Sequence, residues 1–361
     1  MKRILTSYHI AVFVVIFYII TAILAPYIAN DKSVLCLTEQ FCLQPIIPFS
    51  PTTIHLEDGS SLPPLSSVTT SGKNRYHWLG TDKLGRDVAS GMIHGATISL
   101  LIGFVSVFLS FFTGVLFGMG AAYSVKRSYT FNIFQVSIIF LVKIVSLFYL
   151  IYEFQFSRNF LISSLVIFIL AGITISATIY MGNYLKSLKR YPISPDMILM
   201  KIIEIRKSFP GLFLILALTG IITVPSVWNI VFIISLLGWT EFARHSRAET
   251  MAVLETHYIS SVRMLGLGSI RILFRHILPN IMPTLLVLAC FSVAGSILIE
   301  SSLSFLGIGL PVETVSWGKM MSEGRNMKNW WMVVFPGIAI FSIILSLNAI
   351  ATYWQEKIEK K

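Results

Sequence analysis

YISSVRMLGLGSIRILFRHILPN, residues 258–280, lies between two long apolar segments and is itself too polar to cross a bilayer. Its pattern is nonetheless regular. Tyr258, Val262 and Leu265 follow the i, i+4, i+7 spacing of one helix face. Gly266 and Gly268 then break that helix, because glycine reaches backbone angles that other residues avoid. Ile270, Leu273, Phe274 and Ile277 set a second short period. Pro279 and Pro283 mark the start of the next apolar run, proline being tolerated in a first helical turn. Arg263, Arg271, Arg275 and His276 add positive charge. The predicted shape is helix, glycine turn, helix, lying along a membrane surface. An ordinary amphipathic surface helix has the same periodicity, so the meaning of this elbow depends on what flanks it.

Outward from the elbow the chain is mostly apolar. Of 361 residues, 55% are hydrophobic and only 12% charged, where ordinary soluble domains carry roughly 25% charge. Several runs reach the ~20 residues that a bilayer-spanning helix needs. A net charge of +11 suggests nucleic acid at first sight. A topological reading fits better, because Lys and Arg collect in cytoplasmic loops; no nucleic-acid partner is expected. Of the three cysteines, Cys36 and Cys42 share one predicted extracytoplasmic loop, where a bridge can form in an oxidising compartment. Cys290 lies in an apolar run.

The N-terminal 30 residues carry Lys2 and Arg3 and then an apolar core from about Ile10 to Ala29. That core is too long for a secretory signal, so the first transmembrane helix is read as uncleaved, with its N-terminus cytoplasmic. Residues 31–93 form a Pro- and Ser-rich extracytoplasmic loop, expected to be extended and irregular. It ends in HWLGTDKLGRDVASGMIHGATISL, residues 77–100. Thr81 or Asp82 can cap backbone donors there, and Arg86 can pair with either neighbouring aspartate. A latch and a merely solvated turn are both open. Residues 94–124 hold a core helix in which Gly114 and Gly118 form GxxxG, a close-packing pattern that also arises by chance in apolar runs. Residues 125–196 add two apolar runs, Phe131–Tyr152 and Phe160–Met181, and a basic linker. Lys143 lies within the first run, where a charge marks function by default unless it faces protein or snorkels. Residues 197–354 hold four more spans. The span over 197–222 should kink at Pro210, and Trp330 and Trp331 suit a membrane–water interface. Residues 355–361 are a charged tail.

After the span over 281–299 comes Glu300-Ser-Ser-Leu-Ser-Phe-Leu-Gly307, followed by Ser316-Trp317-Gly318. This stretch and Leu79-Gly80-Thr81-Asp82…Gly85-Arg86-Asp87 resemble two hallmarks of the C-type permease subunit of dipeptide and oligopeptide ABC importers. The elbow is similar to that family's cytoplasmic coupling loop, which has a mid-loop glycine, here Gly266, and an Ile-Leu-Pro, here Ile277-Leu278-Pro279. The family's Glu-Ala-Ala stands here as Ser260-Ser261-Val262, so the glutamate is absent. The likeness covers the first helix, residues 77–123 and about 197–353. It implies an all-α polytopic membrane protein, with the six-helix core of a type I importer permease plus an inserted hairpin, about eight transmembrane helices in all. It also implies coupling to an ATPase through Tyr258, Ser261, Val262, Leu265, Gly266, Gly268, Arg271 and Pro279. Gly80, Thr81, Asp82, Gly85, Arg86 and Asp87, with Glu300, Ser304, Phe305, Gly307, Trp317 and Gly318, would be structural. The implied partners are a second permease subunit, two ATPase subunits and an extracytoplasmic binding protein, in the inner membrane with both termini cytoplasmic.

The missing chemistry agrees. No GxxxxGK[ST] occurs: Gly72-Lys73 and Gly318-Lys319 continue with Asn and Met. There is no HExxH or GxSxG, and the seven histidines are scattered. No cofactor, metal or catalytic group is expected, and ATP would be hydrolysed on a partner. A stand-alone secondary transporter would show internal repeats and clustered intramembrane charge. A membrane-embedded enzyme would need catalytic groups gathered at membrane depth. Within the importer reading, nickel or another small solute is the alternative to peptides; Ala29-Asn30-Asp31-Lys32 looks like the longer peptide permeases.

Overall fold

Asp87 starts the helix on which the rest is assembled. Its Oδ1 accepts the Ser90 amide at 2.8 Å, so a 36-residue helix, α3 (Val88–Tyr123), begins at a capped turn, well before Ile98 where the hydropathy rises. The computed structural model describes residues 2–31, 35–38, 41–43, 45–54, 60–70, 73–125, 129–132, 190–222 and 224–360. Before α3 come α1 (Lys2–Ile23), α2 (Ala25–Ile28) and two hairpins, β1 (Leu35–Thr38) with β2 (Phe41–Leu43) and β3 (Ser66–Thr70) with β4 (Lys73–His77). The first loop is therefore less irregular than its composition suggests; the β1–β2 register sets Cys36 opposite Cys42. After α3, β5 (Tyr129–Asn132) pairs with β6 (Arg190–Ile193). Phe131 thus stands in a strand, while the remainder of the expected hairpin, Lys143 included, lies outside the described residues.

Then follow α4 (Pro195–Ser208), α5 (Gly211–Ile221), α6 (Val227–Leu254), the elbow helices α7 (His257–Met264) and α8 (Ser269–Ile272), a π turn (Leu273–Ile277), α9 (Leu278–Phe305), α10 (Trp317–Met327) and α11 (Trp331–Glu359). The expected kink at Pro210 is a full break: Phe209 is extended, and Pro210 precedes α5 at ψ 128°. Proline pushes the preceding residue out of the helical region and supplies no N–H. Helix α6 runs past Trp239 to Leu254 because its polar end, which hydropathy cannot see, stays helical.

Four described segments, Val88–Tyr123, Val227–Leu254, Ser269–Phe305 and Trp331–Glu359, are long and apolar enough to cross a membrane. The distribution of side chains agrees. Phe13, Phe17, Phe108, Phe112 and Phe341 are exposed, while Ser99, Ser106, Ser110, Thr240, Ser246 and Thr250 are buried. A water-soluble protein arranges these types the other way. The packing of α3 explains the buried hydroxyls. Gly91, Gly95, Ser99 and Gly103 recur every fourth residue toward α9 and α10; Ser110, Gly114 and Gly118 do so toward α6. A Cβ on Gly114 would stand 2.4 Å from the Trp239 carbonyl oxygen, and one on Gly118 2.3 Å from that of Ala243. The two backbones touch, as small residues permit, and the Ser110 hydroxyl donates to the Ser235 carbonyl at 3.1 Å.

Helix α1 lies against α3 and α11, with Tyr18 Oη 2.8 Å from Ser342 Oγ. Tyr8 stacks on Tyr353 at 4.2 Å between ring centroids, which puts both chain ends at the elbow end of the bundle. On α4, Asp196 accepts from Nε and Nη2 of Arg247 on α6, while Lys207 meets Glu241 at 3.0 Å. Replacing Gly118 by Leu should break the α3–α6 crossing, costing at least the ~1–3 kcal/mol of overpacking and lowering the melting temperature of the purified protein. Gly120→Leu is the control: its added Cβ meets nothing within 4 Å, and its melting temperature should match the wild type.

Candidate functional site: a surface elbow and a charged clasp

The elbow forms as its glycines demand, but with its faces turned. Gly266 takes φ +74° and ends α7; Gly268 precedes α8. The side chains packed inward are Ile259 and Val262 from α7 and Ile272 and Ile277 beyond the turn, joined by Val115 and Met119 of α3 and Ile281 and Leu285 of α9. Val262 is the one member of the expected Tyr258–Val262–Leu265 face that is buried. Tyr258 and Leu265 are 52% and 78% exposed, and in the second period Ile270 is 74% exposed. Each short helix packs one i, i+3 or i+5 pair, so the register shifts by a residue from the longer period. The outer surface therefore presents Tyr258, Met264, Leu265, Ile270 and Phe274, with Ser261, Gly266, Gly268, Arg271 and Pro279 exposed among them.

Local bonds hold this shape. Tyr258 Oη lies 2.5 Å from His276 Nδ1, tying α7 to the π turn, and Ser261 Oγ donates to the His257 carbonyl at 3.1 Å. Pro279 occupies the first turn of α9, and the wider π turn ahead of it accommodates a ring that would clash with a regular helical carbonyl. The Asn280 amide donates to the His276 carbonyl at 2.7 Å.

The hallmark residues gather at the opposite end of α3. Gly80 adopts φ +83°, and a Cβ there would sit 2.5 Å from the Leu62 carbonyl oxygen. Thr81 Oγ1 accepts the Leu62 amide at 2.9 Å. Asp82 Oδ1 accepts the amides of Leu84 and Arg86, both at 2.8 Å, around a turn with Gly85 at φ +74°. Arg86 bridges Asp82 Oδ2 at 2.5 Å and Glu323 Oε2 at 2.9 Å. Of the two expected aspartate partners, Arg86 takes Asp82 only. Asp87 caps α3 and pairs with buried His77 at 3.0 Å, whose ring stacks on Phe49. Burial pushes the Glu323 carboxyl above the usual glutamate range, against the pull of Arg86 and Lys319. Burial likewise lowers the Lys319 ammonium, which donates to the carbonyls of Pro311, Val312 and Thr314. This partly buried clasp joins residues 82–86 to α10, and removing one partner would leave a half-buried charge unpaired, which costs more than losing an exposed ion pair.

The second hallmark sits directly beneath. Glu300 is fully buried, and its carboxylate accepts Ser99 Oγ at 2.9 Å, Ser304 Oγ at 2.8 Å and Ser301 Oγ at 3.2 Å. Trp317 Nε1 donates to the Met92 carbonyl at 3.0 Å, and a Cβ on Gly318 would meet the Ser301 carbonyl oxygen at 2.3 Å. The Arg325 guanidinium lies 4.5 Å over Phe305, and Gly307, at φ +77°, turns the chain out of α9. Trp331 is buried and donates to the Thr81 carbonyl at 3.3 Å; Trp330 alone of that pair is well exposed. Glu323 and Ser99 are partners that local sequence does not reveal, since they stand 237 and 201 positions from Arg86 and Glu300; His77 and Lys319 are nearer their partners but stand outside the expected set of site residues. Among the described residues no cluster of His, Cys, Asp and Glu could hold a metal ion.

Comparison with known proteins agrees with this geometry. Residues 189–360 match the family of binding-protein-dependent transport system inner membrane components. The chain is 27% identical over 318 residues to a di/tripeptide transport system permease protein of Pseudomonas aeruginosa, covering 88% of this chain and 81% of the relative. It is 26% identical over 346 residues to a putative peptide transport system permease protein of Brucella suis, covering 95% and 84%. It is 25% identical over 292 residues to a dipeptide transport system permease protein of Alkalihalophilus pseudofirmus, covering 80% and 74%. The matched region contains the elbow, Glu300 and α10, and the coverage of these relatives extends over most of the chain. The chain is a multi-pass membrane protein whose residues 189–360 match the inner membrane components of binding-protein-dependent transport systems, and it is similar over most of its length to peptide transport permeases.

Proposed function

We propose that this chain forms one half of a peptide translocation pathway, beside a second permease subunit, and that two ATPase subunits drive it through the elbow. The observation that carries this reading is the elbow's two-sided build. A row of buried aliphatics anchors it to α3 and α9, each contributing on the order of 1.5–3 kcal/mol on burial. Its other face leaves Leu265, Met264 and Ile270 bare around a glycine turn. A short helix with exposed apolar anchors fits a groove on a partner and can carry that partner's rigid-body motion. Peptides are the proposed cargo because the relatives are named as peptide permeases. The elbow end is then the cytoplasmic face of the inner membrane, both termini lie there, and the clasp faces the binding protein. Nickel is the second reading, and the uptake assay below separates the two.

The insertion is proposed as a separable module. The β5–β6 register brings Asn132 opposite Arg190, so the core closes on itself before residue 133 and after residue 189. Joining Asn132 to Arg190 through an Asn-Gly turn, a favoured two-residue hairpin link, should leave assembly with the ATPase subunits intact; loss of those subunits on co-purification would show the module to be part of the core.

The coupling role has its own test. Gly266 has φ +74° and nothing within 4 Å of an added Cβ, so Gly266→Val strains the turn by about 1–2 kcal/mol without a steric clash. In the complete complex reconstituted in liposomes, uptake of labelled dialanine and trialanine should fall about ten-fold while ATP hydrolysis persists. Unchanged peptide uptake would remove the elbow from the coupling path, and uptake of labelled nickel ion in place of peptide would reassign the cargo.

A further inference from the structure

Among the side chains by which α3 meets the elbow, Tyr123 has polar contacts with both arms. Tyr123 is the last residue of α3. Its hydroxyl donates to Ser269 Oγ at 2.9 Å, on α8, and its ring lies beneath the Arg263 guanidinium, 5.4 Å from the centroid, on α7. Arg263 and Ser269 stand on opposite sides of the Gly266–Gly268 turn. Gly266 and Gly268 have open space around an added Cβ; Tyr258–His276 ties the arms to each other, while Tyr123 ties both of them to α3 and is placed to keep them from moving independently of it. Met119 and Val115, one and two turns back on the same α3 face, sit in the aliphatic layer under the elbow.

The rest of α3 suits a transmitting rod. It has no internal proline, whereas α9 and α11 contain Pro283 and Pro336 and the α4–α5 segment is broken at Pro210. At 36 residues it spans roughly 54 Å at about 1.5 Å per residue. It ends at Asp87, next to the Arg86–Glu323 clasp. Any displacement given to Tyr123 reaches the clasp end without crossing a flexible joint.

We propose that Tyr123 is the positioning residue that locks the two elbow arms to α3, so that motion of the docked ATPase moves α3 and the clasp at its far end. This rests on the reading that the elbow receives the ATPase. Coupling between binding sites is reciprocal in free energy, so the same contact is placed to pass the binding protein's effect back to the ATPase.

The test uses the complete complex in liposomes with its co-purified binding protein, comparing wild type, Tyr123→Ala, Tyr123→Phe, Ser269→Ala and Tyr123→Phe/Ser269→Ala. The readouts are subunit stoichiometry, basal ATP hydrolysis, its stimulation by binding protein, and dialanine uptake per ATP. Tyr123→Ala should keep its ATPase subunits and a basal rate within about two-fold, yet lose stimulation and most uptake per ATP, a fall of about ten-fold. Tyr123→Phe keeps the ring under Arg263 and should lose about three-fold. Ser269→Ala, a mild change at a half-buried site, should match it, and the double variant should fall no further, because both remove one bond. Full stimulation in Tyr123→Ala with its ATPase bound would overturn the proposal. So would loss of the ATPase subunits from that variant, since Tyr123 would then merely support the docking surface. If the wild-type chain never co-purifies with an ATPase, the elbow reading itself fails.

Discussion

Helices α3 and α6 lie so close at Gly114 and Gly118 that no side chain fits between their backbones. Between helices in an apolar medium there is little hydrophobic gain to be had from association, so contact must come from van der Waals packing and hydrogen bonds across small residues. This contact leaves α3 with its other faces free for separate duties. One carries Gly91, Gly95, Ser99 and Gly103 toward α9 and α10; another carries Val115 and Met119 under the elbow. The remainder, with Phe108 and Phe112, faces outward. Both candidate sites hang on the two ends of this one helix.

Charge inside such a bundle is costly unless every charged group finds partners. The buried Glu300 carboxyl is hydrogen-bonded by the hydroxyls of Ser99 on α3 and of Ser301 and Ser304 on its own helix. The carboxylate thereby joins α3 to α9 at the depth where α10 begins. The clasp applies the same rule nearer the surface: Arg86 joins the turn before α3 to Glu323, and Lys319 satisfies three carbonyls of the loop that would otherwise be loose. The two hallmark stretches, remote in sequence, are a single structural joint in space.

The elbow obeys a different economy. Its apolar residues divide between an inner set packed on α3 and α9 and an outer set left in the open. The inner set packs it on the core; the outer set has no packing partner among the described residues. That division distinguishes it from a helix that merely floats at an interface.

The sequence by itself determined the class of molecule, because apolar length and the scarcity of charge are local properties. It also determined where the elbow bends, since Gly266 and Gly268 act through their own backbone angles, and it flagged Gly114 and Gly118 by spacing. Only the tertiary structure decided which elbow face is buried. A helix as short as α7 carries too few residues to separate adjacent registers, and the choice of Ile259 over Tyr258 is made by the aliphatic layer beneath it. The same holds for the break at Pro210, the partner of Arg86 and the serine cage of Glu300. Each depends on residues far away in the chain, and no local pattern encodes which distant group will arrive to satisfy a charge or fill a groove.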